Sequence, residues 1–506
     1  SAFIGFLFWW MKKTFGIIAA IVSTLSLALY PLFFAELHNN IKDIPQAVFF
    51  SMALIFFFEA INKKNLRYLI LFSLFGGMAF ATKFNFIFAG VISGFWFVYL
   101  FIRDYRLGLA RLSSFVRRYK LFTAYLIIGT PIVIAAIWIS VSPPAWFEPR
   151  FLLTSFFYYE NIGTSASSSI KFYALYYVFF ATPLIILFWW LIGVIGGLRL
   201  KGRKKDFYVL VLIWFLIPIL RVMAPNTVIY GGVRQIMEYV PAMAIMAGIG
   251  AHMLFEKIRK YNAIKVGIFL SFLPFVLRLI ELHPNEGIYF NPLIGGLKGA
   301  KEHNIPDWGT TLGNPYKQAI DWINEHTEPN ARLGFAWGQM TNLPYIWVRN
   351  DIKYSNTVKS GPARNGEYIM ALTNPSIYDL EFQIRELSLF VTPVHQIEID
   401  GVPIVKIWKN EKRFVSPDYL EEELVEDVKT YSIENAFVIT LPQIRNIKRL
   451  EFDIAETDNC EMPVRNIGEM IFITNDDNPS RKLPAIDYDF QIVAPYKEPY
   501  LLFAAE

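Results

Sequence analysis

The sequence predicts a polytopic α-helical membrane protein with a C-terminal extracytoplasmic α/β domain and a β-sandwich-like appendage. Three observations lead to this fold class. Long apolar runs follow one another from residue 1 to about residue 281. The chain after residue 281 has the composition of a soluble protein. Of all 506 residues, 54% are hydrophobic and 18% are charged, whereas an ordinary soluble domain has about 25% charged residues.

These observations divide the chain into three predicted parts. Residues 1–281 form a multi-span transmembrane domain, residues 282–411 an extracytoplasmic α/β domain, and residues 412–506 a β-rich, sandwich-like domain. The sequence starts with Ser1 inside an apolar run rather than with methionine. We therefore expect the N-terminus to be incomplete.

The apolar runs are long enough to cross a bilayer as helices. A membrane-spanning helix needs about 20 mostly apolar residues, and helices satisfy their own backbone hydrogen bonds in lipid. The predicted spans are 1–10 (the end of one span), 14–35, 45–61, 66–82, 85–102, 121–141, 172–198, 207–223, 233–254 and 264–281.

The basic residues predict the orientation of these spans. Clusters of lysine and arginine alternate with connections that are poor in basic charge, and cytoplasmic loops are the basic ones. All five basic clusters fall on the same side, which predicts a cell membrane protein whose C-terminal part is extracytoplasmic. The clusters are Lys12-Lys13, Lys63-Lys64, 103–120, 201–205 and 256–260.

The C-terminal part mixes helix and strand signals. Asp400-Gly401 separates two alternating runs, which is typical of a two-residue hairpin turn. Short strand-like runs after residue 412 favour a sandwich. The predicted elements are a helix at 316–326, strands at 332–337 and 367–372, a helix at 377–387, a hairpin at 396–399 and 402–408, and strands at 436–441, 449–454, 470–474, 489–493 and 500–503.

The net charge gives no sign of a nucleic-acid partner, and the cysteine content excludes an intrachain disulfide. The net charge of +5 does not indicate a nucleic-acid partner, because the basic residues of the first half lie in short clusters between spans. Cys460 is the only cysteine, so no intrachain disulfide can form.

Polar residues at the predicted outer face are the candidates for function, because an ionisable group near lipid needs a partner or a ligand. The first group follows the second span and contains His38, Asn39, Lys42 and Asp43. Asp43 lies just before Pro45, so its alternative role is to stabilise the start of the next helix.

The other two groups follow later spans on the same side. Lys83 breaks the positive-inside pattern and is suited to a lipid phosphate, although it could simply extend towards the interface. Tyr230, Arg234 and Glu238 lie at the start of the span at 233–254. Glu238 is four residues after Arg234, so the two could form a structural ion pair. Lys83, Arg234 and Asp43 together provide the charges needed to hold a lipid-linked phosphate.

Four stretches carry a resemblance to a known family. The chain resembles the bacterial and archaeal membrane glycosyltransferases of the C-type fold, in the branch related to dolichyl-phosphate-mannose protein O-mannosyltransferases and lipid A aminoarabinose transferases. The likeness covers roughly residues 14–411. The matching stretches are 38–45, then 76–84, then 232–235 with 240–242, and lastly 289–296 with 299–300, 307–310 and 322–324.

The resemblance implies transfer of a sugar from a polyprenyl-phosphate donor to an acceptor on the extracytoplasmic face. The family's catalytic base lies after the first membrane helix, and that loop is expected to precede Ser1, so the base is unknown here. Asp43 matches the second acidic motif. Lys83 and Arg234 are expected to bind the carrier phosphate, and His38, Asn39, Lys42, Tyr230 and Glu238 are the remaining substrate-binding candidates.

The sequence also leads to expectations about binding partners, cofactors and alternative functions. The expected partners are the polyprenyl-phosphate sugar donor, the bilayer and an acceptor of unknown identity. No cofactor is firmly expected, since Glu36 and His38 beside Asp43 give too few ligands for a good divalent metal site. One alternative function is a non-catalytic structural subunit of a membrane complex. A transporter is less favoured, because the polar residues lie at the ends of spans rather than at the midplane.

Overall fold

The computed structural model describes residues 2–103, 120–148, 150, 151, 154, 172–225, 227, 232–255, 262–305, 308, 309, 314–335, 345–354, 360, 364–373, 387, 388, 390–417, 428–433 and 436–440. The chain divides into two compact units, Ser1–Leu312 and Gly313–Glu506.

The first unit is helical. Its helices are α1 (Ala2–Phe15), α2 (Ile17–Ala28), α3 (Pro31–Asn39), α4 (Asp43–Lys63), α5 (Leu66–Thr82), α6 (Ile87–Arg103), α7 (Lys120–Ala124), α8 (Thr130–Ser140), α9 (Pro143–Phe147), α10 (Tyr173–Phe180), α11 (Leu184–Gly197), α12 (Gly202–Met223), α13 (Tyr239–Phe255), α14 (Asn262–Ser271), α15 (Leu273–Leu282) and α16 (Gly296–Glu302). A π-helical turn at Tyr125–Gly129 joins α7 to α8, and short 3₁₀ turns occupy Phe84–Phe86, Gly232–Ile236, Glu286–Ile288 and Pro292–Ile294.

Several of these helices are suited to crossing a membrane. Among the described residues, four helical stretches are long and apolar enough: 43–63, 84–103, 120–140 and 202–223. Two bent pairs raise the number to as many as six. The pair α2 and α3 bends by 58°, and the pair α10 and α11 bends by 115°. The predicted fold class, a multi-pass helical membrane protein with a C-terminal sheet domain, is confirmed.

Prolines explain where the predicted spans divide. The span expected at 14–35 breaks before Pro31, that at 172–198 breaks at Pro183, and that at 264–281 breaks before Pro274. Proline lacks the N–H that a continuous helix needs, but it is well tolerated in a first helical turn. Each of these three predicted spans is therefore divided between helices rather than being one continuous helix.

Asn291 satisfies the backbone at the break between α10 and α11. Its side-chain Nδ2 donates to the carbonyl oxygens of Phe179 and Thr182, each at 2.9 Å, and its backbone N–H donates to Phe180 O at 2.7 Å. Asn291 itself is fully buried. Such partners are required where a helix is interrupted at membrane depth.

Helix α13 forms the centre of the unit and is buried from Tyr239 to His252. It packs directly against α11 because glycines face each other. A Cβ atom on Gly193 would lie 1.9 Å from the carbonyl oxygen of Met246, and one on Gly250 would lie 2.2 Å from that of Trp189. Small residues at such contacts let two membrane helices approach closely.

The second unit contains helix α17 (Asn314–His326) and a five-stranded sheet. The strands are β1 (Arg332–Phe335), β2 (Lys353–Tyr354), β3 (Tyr368–Leu372), β4 (His395–Ile399) and β5 (Val402–Lys409), in the order β2-β1-β3-β5-β4. Strands β2, β1 and β3 are parallel, and β5 is antiparallel to β3 and β4. Helix α17 covers one face through Ile320 and Ile323, which pack in one core with Met370 and Ile407. A further hairpin pairs β6 (Lys429–Ile433) with β7 (Ala436–Thr440).

Several predicted elements of this unit are confirmed. Helix 316–326, the strands starting at 332 and 367, and the hairpin appear within one or two residues of the predicted positions, and Asp400 and Gly401 have φ angles of 53° and 72° as a two-residue turn requires. The sequence reading did not identify β6. The helix predicted at 377–387, apart from Leu387, and the strands predicted after residue 440 lie outside the described residues. The three-part division at 281 and 411 stays a prediction.

Candidate active site

Asp43 is the first residue of α4 and is buried. Its Oδ1 accepts from Lys83 Nζ at 2.8 Å, and its Oδ2 accepts from Asn40 Nδ2 at 2.6 Å. The capping role belongs to Asn40 instead, since Asn40 Oδ1 accepts from the backbone N–H groups of Lys42 and Asp43, each at 2.9 Å. The Asp43 carboxylate is therefore directed at Lys83 rather than used as a helix cap.

Lys83 follows the last residue of α5 and points into the protein. Besides Asp43, its Nζ donates to the backbone carbonyl oxygen of Gln235 at 3.2 Å. The side chain is 22% exposed, and that of Asp43 is 9% exposed. A lysine that only extended towards the interface would keep its ammonium in water. Lys83 instead joins the start of α4 to the turn at Gly232–Ile236.

Asn85 and Glu238 extend this network. Asn85 Nδ2 donates to Gln235 O at 2.8 Å and to Glu238 Oε1 at 3.0 Å. The indole of Trp214 donates to the backbone carbonyl of Glu238 at 2.8 Å. Glu238 Oε2 is buried, and no described residue hydrogen-bonds to it. Glu238 can therefore accept a further hydrogen bond.

Arg221 adds a cation that the sequence reading missed. It lies in the last turn of α12, half-buried, with its guanidinium 4.7 Å from the ring centroid of Phe88. Nη1 lies 3.5 Å from Asn85 Oδ1, and Nη2 lies 3.4 Å from Gln235 O. The signal was present in the sequence: an arginine inside the apolar run at 207–223 is itself a functional candidate.

Arg234 and Glu36 complete the cluster. Arg234 lies in the 3₁₀ turn Gly232–Ile236, and its buried Nε has no hydrogen-bond partner in the described part of the chain. Glu36, in α3, is 5% exposed, and its Oε2 is likewise buried without a partner among the described residues. Arg234, Asp43 and Lys83 all act electrostatically on the Glu36 carboxyl group.

The ion pair expected between Arg234 and Glu238 is not formed in the described structure. Side chains four residues apart face each other on an α-helix. Arg234 lies in a 3₁₀ turn, however, and α13 begins only at Tyr239, after Glu238. Glu238 bonds to Asn85 instead.

The remaining candidates are more peripheral or lie outside the described part. His38 is exposed, and its Nδ1 lies 3.0 Å from Phe34 O. Lys42 is exposed as well. The side chain of Asn39 and all of Tyr230 lie outside the described residues. Within the ranges that the structure describes, no group of three or more His, Cys, Asp or Glu side chains is arranged to hold a metal ion.

The cluster thus brings three acids and three basic residues to the same end of the first unit. The acids are Glu36, Asp43 and Glu238, and the basic residues are Lys83, Arg221 and Arg234. Convergent ammonium and guanidinium groups suit an anionic ligand such as a phosphate. Buried carboxylate oxygens with free acceptor capacity suit hydroxyl or amine groups.

Comparison with known proteins supports the resemblance seen in the sequence. Residues 1–138 match the family model described as dolichyl-phosphate-mannose-protein mannosyltransferase. These residues make up the N-terminal part of the membrane unit. The match includes Asp43 and Lys83, and it confirms the predicted likeness to C-type membrane glycosyltransferases for this part of the chain.

Two solved structures are similar to a larger part of the chain. They are ArnT from Cupriavidus metallidurans bound to undecaprenyl phosphate and the same protein in its apo state. Each is 16% identical with a TM-score of 0.41 and covers 82% of this chain, and the match covers 83% and 82% of their own chains, respectively. A search of curated proteins finds no match.

Proposed function

We propose that this protein transfers a sugar from a polyprenyl-phosphate donor to an acceptor at the extracytoplasmic face of the cell membrane. The observation that carries the proposal is the buried Asp43–Lys83 pair at one end of α4. Both residues lie within the part that matches a family named for using dolichyl-phosphate-mannose. A buried charge pair is costly to maintain, and a role in binding a charged lipid head group gives a reason for keeping it.

The reaction requires charge stabilisation where the lipid phosphate leaves. The acceptor hydroxyl or amine forms a bond to the anomeric carbon, the bond from that carbon to the phosphate oxygen breaks, and the acceptor proton passes to a base. Negative charge grows on the departing phosphate, and cations held in a dry site stabilise it. Lys83 and Arg234 supply this charge in our proposal, and Asp43 holds the Lys83 ammonium in place.

The opposite end of the helices supports the proposed orientation. Lys63 Nζ lies 2.8 Å from Glu59 Oε2, and Arg203 also pairs with Glu59. Arg103 pairs with Asp206 at the start of α12. Basic residues gathered at one end are typical of the cytoplasmic face, so we assign the Asp43 end to the extracytoplasmic face, where the C-terminal unit would also lie.

The sugar and the acceptor are assigned by chemical class. The matching family is named for mannose transfer to protein. Our proposal extends to a hexose or pentose as the sugar and to a protein, lipid or glycan as the acceptor.

The test is sugar transfer by the full chain in membranes. Radiolabelled polyprenyl-phosphate sugars would be supplied one at a time, and wild type would be compared with Asp43→Asn. We expect label to move to an acceptor with wild type and at least about 100-fold more slowly with the variant. Asp321→Asn is the matched control, because Asp321 pairs only with the exposed Lys317 in the described part of the second unit.

Two outcomes would overturn the proposal. If folded wild-type chain consumes no donor of the panel while remaining bound to other membrane subunits, the structural-subunit function replaces it. If Asp43→Asn and Asp321→Asn transfer sugar equally well, the Asp43–Lys83 pair has no part in the reaction.

A further inference from the structure

We propose that Arg221 and Asn85 bind the carrier phosphate together with Lys83, at the place where the backbone carbonyl oxygen of Gln235 now accepts from all three. This inference rests on the proposed function and deepens it, because it assigns a binding residue on α12, well outside the region that matches the family model.

Three hydrogen-bond donors converge on one backbone carbonyl oxygen. Gln235 O accepts from Asn85 Nδ2 at 2.8 Å, from Lys83 Nζ at 3.2 Å and from Arg221 Nη2 at 3.4 Å. A carbonyl oxygen has two lone pairs, so three donors exceed what it can satisfy well. Two of the three donors are cationic. Such a set matches the several oxygen atoms of a phosphate better than one neutral carbonyl oxygen.

The Arg221 guanidinium has donor capacity that its described contacts use poorly. A guanidinium has five N–H donors, but the bonds of Arg221 to Asn85 and Gln235 are 3.5 and 3.4 Å long. Good N–H···O bonds are about 2.7–3.2 Å. Among the described residues, no carboxylate oxygen forms an ion pair with it within 4.0 Å, and Glu238 attracts it only at longer range. Arg221 is therefore a positioned cation that forms no short hydrogen bond and no ion pair with a described residue.

The position of Arg221 is fixed by its helix and by an aromatic ring. It occupies the last turn of α12, where the helix dipole favours positive charge. The Phe88 ring packs against the guanidinium at 4.7 Å and limits its orientations. A preorganised cation of this kind loses little conformational entropy when a ligand binds.

The experiment measures binding of undecaprenyl phosphate to the purified full chain in detergent, with undecaprenol as the uncharged probe. The variants are Arg221→Gln, Arg221→Lys and Asn85→Ala. The matched control is Arg203→Gln, since Arg203 already pairs with Glu59 at the other end of the helices. The unfolding temperature without lipid identifies any variant that does not fold.

We expect Arg221→Gln to weaken undecaprenyl phosphate binding about 10- to 100-fold, as loss of a charge-assisted contact predicts. Arg221→Lys should retain part of the affinity, because charge remains but the planar fork is lost. Asn85→Ala should weaken binding less than Arg221→Gln. Undecaprenol binding should be unchanged in all of them, and in turnover assays KM for the donor should rise more than kcat falls.

The outcomes separate this inference from the proposed function. Wild type that does not bind undecaprenyl phosphate contradicts both. Wild type that binds it, with folded Arg221→Gln and Asn85→Ala binding as tightly as Arg203→Gln, contradicts only the inference. Equal loss of undecaprenol and undecaprenyl phosphate binding would show that Arg221 supports the structure rather than the phosphate, and would also overturn it.

Discussion

The two ends of α4 each hold a buried carboxylate, about 24 Å apart along the helix axis, in contrasting surroundings. Glu59 has three partners. Trp10 Nε1 donates to its carboxylate at 3.1 Å, and Lys63 and Arg203 form ion pairs with it. Asp43 has one cation, and that cation is shared with the carbonyl oxygen of Gln235.

The contrast extends beyond α4. At the Glu59 end, Asp206 is paired with Arg103 and also accepts from Tyr99 at 3.3 Å. Glu59 Oε2 is also buried without a hydrogen bond from a described residue, but it lies 2.8 Å from Lys63 Nζ. At the Asp43 end, Glu36 Oε2, Glu238 Oε2 and Arg234 Nε are buried with neither a hydrogen bond nor an ion pair to a described residue. At the Glu59 end, ion pairs join the helices to one another. At the Asp43 end, several charged groups remain able to bind a ligand.

Replacing Lys83 should change sugar transfer and stability more than any other substitution at either end of α4. Lys83→Met should slow sugar transfer about 100- to 1000-fold, because the departing phosphate loses a cation. It should also lower stability by about 3–5 kcal/mol, since Asp43 is left as an unpaired buried carboxylate. Transfer assays and chemical unfolding of the purified chain would measure the two effects.

The double variant Asp43→Asn with Lys83→Met separates the two effects. It removes both charges, so stability should return towards the wild-type value while transfer stays slow. Recovery of transfer together with stability would mean that the pair is only structural and that the two ends do not differ in kind.

A change at the other end should affect stability and leave the chemistry intact. Glu59→Gln should lower the free energy of unfolding by about 1–3 kcal/mol, because the partly exposed Lys63 and Arg203 lose their charged partner. Transfer per folded molecule should equal that of wild type. A large fall in kcat of the folded variant would show that the Glu59 end is also functional.

The smallest expected effects come from two asparagines that cap helices at opposite ends. Asn65 accepts from the backbone N–H of Arg67 at the start of α5, and Asn40 does the same for Lys42 and Asp43 before α4. Replacing either by alanine should cost about 1 kcal/mol of stability. Only Asn40→Ala should slow transfer, by up to about tenfold, because Asn40 also orients the Asp43 carboxylate.

Thermal unfolding and transfer assays on this matched pair measure both quantities. If Asn65→Ala slows transfer as much as Asn40→Ala, then helix capping alone accounts for the loss, and the orientation of Asp43 is not what matters.

Much of this arrangement was predictable from the sequence, for reasons that differ between residues. Lys83 is conspicuous because it interrupts apolar runs on the side poor in basic charge, and the hairpin at Asp400-Gly401 follows from its local turn chemistry. Pro31 and Pro183 are visible in the sequence, but the bends of 58° and 115° depend on how the neighbouring helices pack.

The contacts of the cluster depend on tertiary structure and could not be read from spacing. Asn85 and Gln235 are 150 positions apart, and their contact is between a side chain and a backbone oxygen. Arg221 was overlooked because it lies inside an apolar run that reads as an ordinary span. Asn40 was overlooked as a cap because Asp43, an acidic residue three positions later, also fits the rule for helix starts.

The bond from Asn291 to the break between α10 and α11 has a consequence for biosynthesis. The carbonyl oxygens of Phe179 and Thr182 receive their partner from a residue made 112 and 109 positions later. At about 5–20 residues per second, the ribosome adds that residue some 5–20 seconds after the break. During this interval the two carbonyl oxygens need other hydrogen-bond donors, such as water. The break between α10 and α11 can therefore acquire its final hydrogen bonds only after Asn291 has been made.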